Sequence, residues 1–378
     1  MKLSPALLVT AALFGSGCGD DGGADGNTAA VVENYANNVY ANYTDTVAKA
    51  IALKATVDAF VAAPSQLTLD AARQAWRDSR EPYLLTEPYR FYDGPIDNPA
   101  DGPEGEINAW PLDEAFIDYV EGNQTAGIIN NTAMFPTITT AVIQDQNENG
   151  GEANISAGYH AIEFLLWGQD HSATGPGDRP FTDYLTTGGT HANQDRRKTY
   201  LQLVTNLLVA DLTQVRDAWT PNAANYRADF VADKTSLQNI FLGMGSLSGA
   251  ELSGERMTVA LNNHDQEDEH SCFSDNTHRD LYGDAVALQN VYLGRYAGND
   301  GEGIEDLVRA NNPALADRLG AEIANSITLI QAIPVPFDQA IMDVAGRTKV
   351  QAAIGALQTQ TATTVEAATA LGVTINLK

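Results

Sequence analysis

His160 and Glu163 stand three positions apart within "ISAGYHAIEFLLWGQ" (155–169), among Ile162, Phe164, Leu165, Leu166 and Trp167. On a helix that spacing puts both side chains on one face. Apolar residues occupy nearly every other angle, so the helix is expected to be buried on most sides. Burying a polar group without a partner costs on the order of 2–7 kcal/mol. Two arrangements would relieve that cost. One is a metal or ligand held by both groups, as in the Glu/His sites of helix bundles. The other is a His–Glu hydrogen bond closing a polar gap in the core. The zinc-protease pattern H-E-x-x-H is absent, since Ala161 follows His160 and Phe164 stands four positions on. The general base and second ligand of that class are therefore missing.

A second cluster, "NNHDQEDEHSCFSDNTHRD" (262–280), holds three of the six histidines. His264, Glu267 and His270 are spaced three and three, so a helix would stack them on one face, with His278 after a break. The competing reading is a solvated acidic helix end. A third stretch, "REPYLLTEPYRFYDGPIDN" (80–98), mixes Glu81, Glu87, Arg90 and Asp97 with Tyr83, Tyr89, Phe91 and Tyr92. Aromatic walls with a few directed carboxylates suit a small-molecule or metal pocket; a helix end packed on a loop has the same composition. The expected metal ligands are His160, Glu163, Glu87, Glu267 and His270. Glu81, Arg90, Asp97, His264 and His278 are further candidates. Such oxygen and imidazole donors suit iron, zinc or manganese, and thiolate is scarce. Ser271 and Ser274 lie near histidines but bring no recognisable triad or oxyanion hole. "GMGSLSG" (243–249) follows no strand and has no nearby Lys, which excludes a phosphate loop. His171 and His191 fall in the irregular stretch 168–193 and are expected to be solvated.

These residues need helices to position them. Val32, Tyr35, Val39, Tyr43, Val47 and Ala50 recur at spacings of three and four, the period of one buried helix face, and the pattern stops at Pro64. Thr68 is the expected N-cap of a second helix running through Trp76 and Tyr83. Residues 93–106 and 144–153 are loops by their Gly, Pro, Asp and Asn content. A short helix is expected in 110–120, with Pro111 in its first turn. Helical periodicity returns at 200–219, from Ala321 to Ile333 and from Gln339 to Ala370. No region alternates with period two over several runs. The fold class is all-α, long helices packed as bundles, with a boundary near 205–225 dividing two halves.

The chain of 378 residues carries 22 Lys+Arg against 49 Asp+Glu, a net charge of −27. That surface repels phosphate backbones and excludes nucleic acid as a partner. Residues 1–17 read as an export signal, with Lys2 before an apolar stretch too short to span a membrane. Small residues before Cys18 resemble a bacterial lipoprotein processing site, so Cys18 is the expected lipidated residue and 18–30 a flexible acidic tether. Only Cys272 then remains as a possible free thiol, so the mature chain is expected to have no internal disulfide.

Gly158, His160 and Glu163 match the G-x-H-x-x-E motif of the imelysin family. "TEPYRFYDGPID", "NAWPLDEAFIDYV", "SAGYHAIEFLLWGQD" and "NHDQEDEHSCFSDNTHRDL" together resemble its iron-regulated protein A branch. The resemblance implies two helical domains (31–210 and 211–378), each built around a four-helix bundle. It also implies export, frequent lipid anchoring to a bacterial membrane, and a role in iron uptake. Iron, or an iron complex, becomes the first expectation for the bound species, with a membrane transport component as its partner. His160 and Glu163 carry over as the motif residues, facing a site where the two halves meet. A peptidase label attaches to the family, so a metallopeptidase is the alternative function. A surface lipoprotein whose motif merely stabilises the fold is another.

Overall fold

The structure, a computed structural model, describes residues 22–377. The expected signal segment and Cys18 lie outside the described residues. The first helix, Gly22–Ala62, begins inside the stretch read as a tether. Its stripe from Val32 to Ala50 is buried as the period required. The second helix, Gln66–Leu84, starts one turn earlier than Thr68 would place it. Ser65 is the N-cap, and Thr68 is its partner in a reciprocal capping box. Thr68 N–H donates to Ser65 Oγ at 3.2 Å and Ser65 N–H to Thr68 Oγ1 at 3.0 Å, which satisfies two of the helix's orphan donors.

Four helices pack in the first half: Gly22–Ala62, Gln66–Leu84, the motif helix Gly158–Trp167 and Gln194–Ala218. In the second half the packing elements are Ser236–Ser246 with its continuation, Thr277–Leu293, Pro313–Gln331 and Val344–Ala370. The boundary expected at 210/211 falls within the unbroken helix Gln194–Ala218. The larger hydrophobic core also crosses it, drawing Trp76, Phe164 and Leu208 together with Phe241, Leu288 and Leu319. A smaller core is built only from the second half, around Met257, Leu281, Phe337 and Leu357. The chain is predominantly all-α, and the strands are two residues each, Arg295–Tyr296 paired with Asn299–Asp300.

Several local expectations shift. The helix in 110–120 is a single turn, Glu114–Ile117, capped by Asp113, so Pro111 lies ahead of it. "GMGSLSG" is helix interior, because Ser236–Ser246 runs on into a π-helix, Leu247–Val259. The π period brings residues five apart onto one face, and Arg256 Nε reaches Glu251 Oε1 at 3.1 Å. Among the described residues no helix is long and apolar enough to cross a membrane.

Candidate functional site

Gly158 opens the motif helix with φ +83, and a Cβ there would stand 2.5 Å from the Ile107 carbonyl oxygen. Only glycine suits both the left-handed backbone and the close approach. All ten residues of the helix are buried. Trp76 Nε1 donates to the Tyr159 carbonyl at 2.9 Å, and Arg73 Nε donates to the Leu166 carbonyl at 3.0 Å. The guanidinium thus serves the helix's open, negative end.

On this helix His160 Nδ1 lies 3.0 Å from Glu163 Oε2. The other carboxyl oxygen, Glu163 Oε1, accepts from Ser274 N–H at 2.9 Å and Ser274 Oγ at 2.6 Å. Burial pushes the Glu163 carboxyl up to about 8, against the hydrogen bonds from Ser274. Burial, reinforced by His270, holds the His160 imidazole well below its ordinary range. Its remaining nitrogen, Nε2, is buried without a hydrogen-bond partner.

The second half answers with a matching pair. His270 Nδ1 lies 2.8 Å from Asp280 Oδ2, and the His160 and His270 rings meet edge to face with centroids 4.7 Å apart. Asp280 also accepts from Ser271 Oγ and from Asn276 Nδ2, and pairs with Arg80 at 3.2 Å. Burial opposes the charge on Asp280, but Arg80 and His270 outweigh it and hold the carboxyl far below the usual range. His270 is lowered to about 4 by burial and by Arg256. Each imidazole therefore has Nδ1 held by a carboxyl group. That arrangement fixes ring orientation in metal sites, where the other nitrogen is the ligand.

The network continues through Arg80, which donates to Asn108, and Asn108 Nδ2 donates to Glu87 Oε1 at 3.2 Å. Glu87 Oε2 is shared by Arg90 and Arg256, each at 2.9 Å. Burial raises Glu87, yet Arg256 and Arg90 prevail and lower it to about 2. Arg256 also binds Asp284 at 2.6 Å, where burial prevails and lifts the Asp284 carboxyl well above its usual range. Arg90 reaches Glu104 at 3.0 Å.

The candidate residues thus separate. His160, Glu163 and His270 meet, and Glu87 and Arg90 join them through Asn108 and Arg80. Glu267 and His264 do not: the chain leaves its helix at His264, with φ +54, and makes a 3-10 turn at Gln266–Asp268. Both side chains are exposed, because the stretch never forms the helix that would have aligned them with His270. Glu81 makes an exposed ion pair with Arg279 at 2.6 Å. Asp97 accepts from the Phe91 and Gly94 N–H groups within its loop. His278 Nδ1 lies 3.0 Å from the Asp275 carbonyl oxygen. Among the described residues no group of three or more His, Cys, Asp or Glu is arranged to hold an ion. The five-ligand set expected from sequence does not converge, since Glu87 is committed to arginines and Glu267 faces solvent. An unpartnered His160 Nε2 beside a second anchored imidazole fits a site of two nitrogens, with other positions filled by the guest.

Sequence reasoning missed Arg80, Asn108, Arg256, Ser274, Asp280 and Asp284. Arg80, Ser274 and Asp280 lay in the stretches singled out, but the partners of Arg80 and Ser274 are remote in sequence, and His270 meets Asp280 across the break ahead of the helix Thr277–Leu293. His191 is not simply solvated: it stacks on Tyr119 at 3.8 Å and lies 2.7 Å from Asp183 Oδ1. Cys272 is a buried free thiol, pushed well up by burial and by Glu163.

A helical protein whose G-x-H-x-x-E helix meets a His–Asp pair from its other half is the class defined here. The imelysin family model, described as Peptidase_M75: Imelysin, matches residues 39–364, and the chain belongs to that family. It is 27% identical over 326 residues to the iron-regulated protein A of Synechococcus elongatus, covering 84% of this chain and 80% of the relative. Its fold is similar to the crystal structure of an iron-regulated protein A precursor from Parabacteroides distasonis. The TM-score is 0.71 at 20% identity, over 92% of this chain and 96% of the other.

Proposed function

We propose that this protein binds a metal ion, iron first with zinc or manganese as alternatives, between its two halves, and serves iron uptake. The carrying observation is the opposed pair of imidazoles, each held at Nδ1 by a carboxyl group, with His160 Nε2 buried and unpartnered. Charge supports the reading. Glu87, Glu104, Glu163, Glu251, Asp280 and Asp284 face Arg80, Arg90 and Arg256 across the network. Buried carboxylates in excess of their cations must take up protons or a further cation. In this reading His160 and His270 supply the nitrogens. Glu163 and Asp280 orient them, and the arginines fix the surrounding carboxylates. The curated relative's name, iron-regulated protein A, is in keeping with it. The exported, lipid-anchored location and a membrane transport partner belong to the same proposal.

Calorimetric titration with Fe(II), Mn(II) and Zn(II) tests it, on the wild type and on His160→Ala. The expected result is one site per chain in the wild type and none in the variant. An intact wild type that binds none of the three ions, with His160→Ala merely less stable, would make the motif a structural device. Cleavage of peptides by the metal-loaded form, lost in His160→Ala, would favour the metallopeptidase.

A further inference from the structure

A surface cleft of about 490 Å³ opens where the helix Thr277–Leu293 begins, with the second helix along its other wall. Clefts of that size take one small molecule. Most of its charged groups are spent on neighbours: Arg279 is bidentate on Glu81, and Asp78 accepts from Gln74 Nε2 at 2.8 Å. Arg77 and Asp275 are not. Among the described residues neither side chain makes a hydrogen bond or an ion pair, and although each feels the other's charge they do not close on one another. The Arg77 guanidinium lies 5.0 Å over the ring of Trp167. That contact holds its plane and leaves its donors as a fork for a carboxylate. Asp275 has the opposite need. Burial, Asp338 and Asp170 push its carboxyl up to about 7, with Arg77 opposing, so a cationic group arriving there relieves repulsion.

Two further features of the cleft bear on the ligand. His278 Nδ1 lies 3.0 Å from the Asp275 carbonyl oxygen; a carbonyl cannot donate, so Nδ1 carries the proton. Burial lowers the pKa of His278, and the neutral ring keeps its lone pair on Nε2 as an acceptor. Val335, 62% exposed, gives the cleft an apolar side together with Pro336. We propose that the cleft binds a free α-amino acid with an apolar side chain, its carboxylate on Arg77, its ammonium on Asp275 and His278, and its side chain against Val335 and Pro336. Such a zwitterion has no net charge, so the field of a chain at −27 does not repel it as it repels a simple anion. The site is separate from the His160–His270 pair and needs no metal, so it stands or falls independently of the metal-binding reading.

Calorimetric titration with L-leucine tests it, beside isocaproate, which is leucine without the ammonium, and isoamylamine, which is leucine without the carboxylate. Melting curves confirm that the wild type and each variant are folded. Leucine should bind once per chain. Each truncated analogue should bind about tenfold to a hundredfold more weakly, the loss expected for one charge-assisted hydrogen bond. Arg77→Gln should weaken leucine by a similar factor and leave isoamylamine within about twofold. Asp275→Asn should weaken leucine and leave isocaproate within about twofold. Arg77→Lys should recover part of the loss, since a lysine keeps the charge but not the fork. A folded wild type that gives no heat with millimolar leucine would overturn the inference. So would leucine binding unchanged in both Arg77→Gln and Asp275→Asn, or isocaproate binding as tightly as leucine, which would make the cleft a site for simple anions.

Discussion

Glu163→Gln separates a metal ligand's orienting group from a structural hydrogen bond. Ser274 places two donors, its N–H and its hydroxyl, on Glu163 Oε1. A glutamine must therefore turn its carbonyl oxygen to Ser274 and its amide nitrogen to His160 Nδ1. The amide donates, Nδ1 accepts, and the ring proton is forced onto Nε2. His160 Nε2 then cannot ligate a metal at any pH. In the wild type the same switch is made by a proton. With Glu163 raised to about 8, the acid form at neutral pH donates to Nδ1 and leaves Nε2 protonated. Loss of one proton gives the carboxylate, with Nδ1–H donating to it and the Nε2 lone pair exposed. Binding therefore releases about one proton per metal, and apparent affinity rises about tenfold per pH unit up to about 8. Relative to pH 8.5 it should be weaker by about tenfold at pH 7 and about a hundredfold at pH 6.

Manganese titrations at pH 6, 7 and 8.5 measure this directly, and repeats in two buffers of different ionisation enthalpy count the protons. The Gln variant should stay folded and bind nothing measurable across the range. Equal affinity at pH 6 and 8.5, no proton release, or wild-type binding by Glu163→Gln would each refute the reasoning. The free protein carries the converse sign. A carboxyl whose folded value lies above its unfolded value stabilises fully below about 4.5 and loses that contribution as pH rises through about 8. Wild-type stability relative to Glu163→Gln should accordingly fall across that window in metal-free buffer.

Two further substitutions probe the frame around the pair. Asp280→Asn removes the charge opposite Arg80 and leaves that guanidinium buried, an effect of about 3–5 kcal/mol; urea unfolding should show it, and a change under 1 kcal/mol would deny Asp280 its central place. Gly158→Ala puts a Cβ against the Ile107 carbonyl in a left-handed backbone, which should destabilise by more than about 1 kcal/mol. A wild-type melting temperature in that variant would show that the helix start can shift without strain.

Much of this protein was legible in the order of its residues because the interactions concerned are local. The stripe from Val32 to Ala50 needs only the helical period, and the His160–Glu163 contact needs only the i,i+3 geometry of one helix turn. Capping is local too, although Ser65 and Thr68 differ by one turn in which of them is the cap, because in a reciprocal box each bonds the other's backbone N–H. The long helix Ser236–Asn263 had no expectation attached to it, because its Gly and Ser residues interrupt the apolar period; packing against Val344–Ala370 accompanies its helical course.

The site as a whole was decided by tertiary structure. Ser274 binds Glu163 across 111 positions, and Arg256 binds Glu87 across 169. Such pairings are set by which surfaces the packed helices bring together, since charge acts through space rather than along the chain. The same rule explains why Glu267, so well spaced on paper, contributes nothing: spacing confers a shared face only where the backbone is helical, and at His264 the helix ends. The types and spacing of its residues determined that this chain would fold from helices and bury a His–Glu pair. Only the meeting of its two halves determined that the pair would face His270 and Asp280, with Arg80, Arg90 and Arg256 holding Asp280, Glu87 and Asp284 and the buried His160 Nε2 left without a partner.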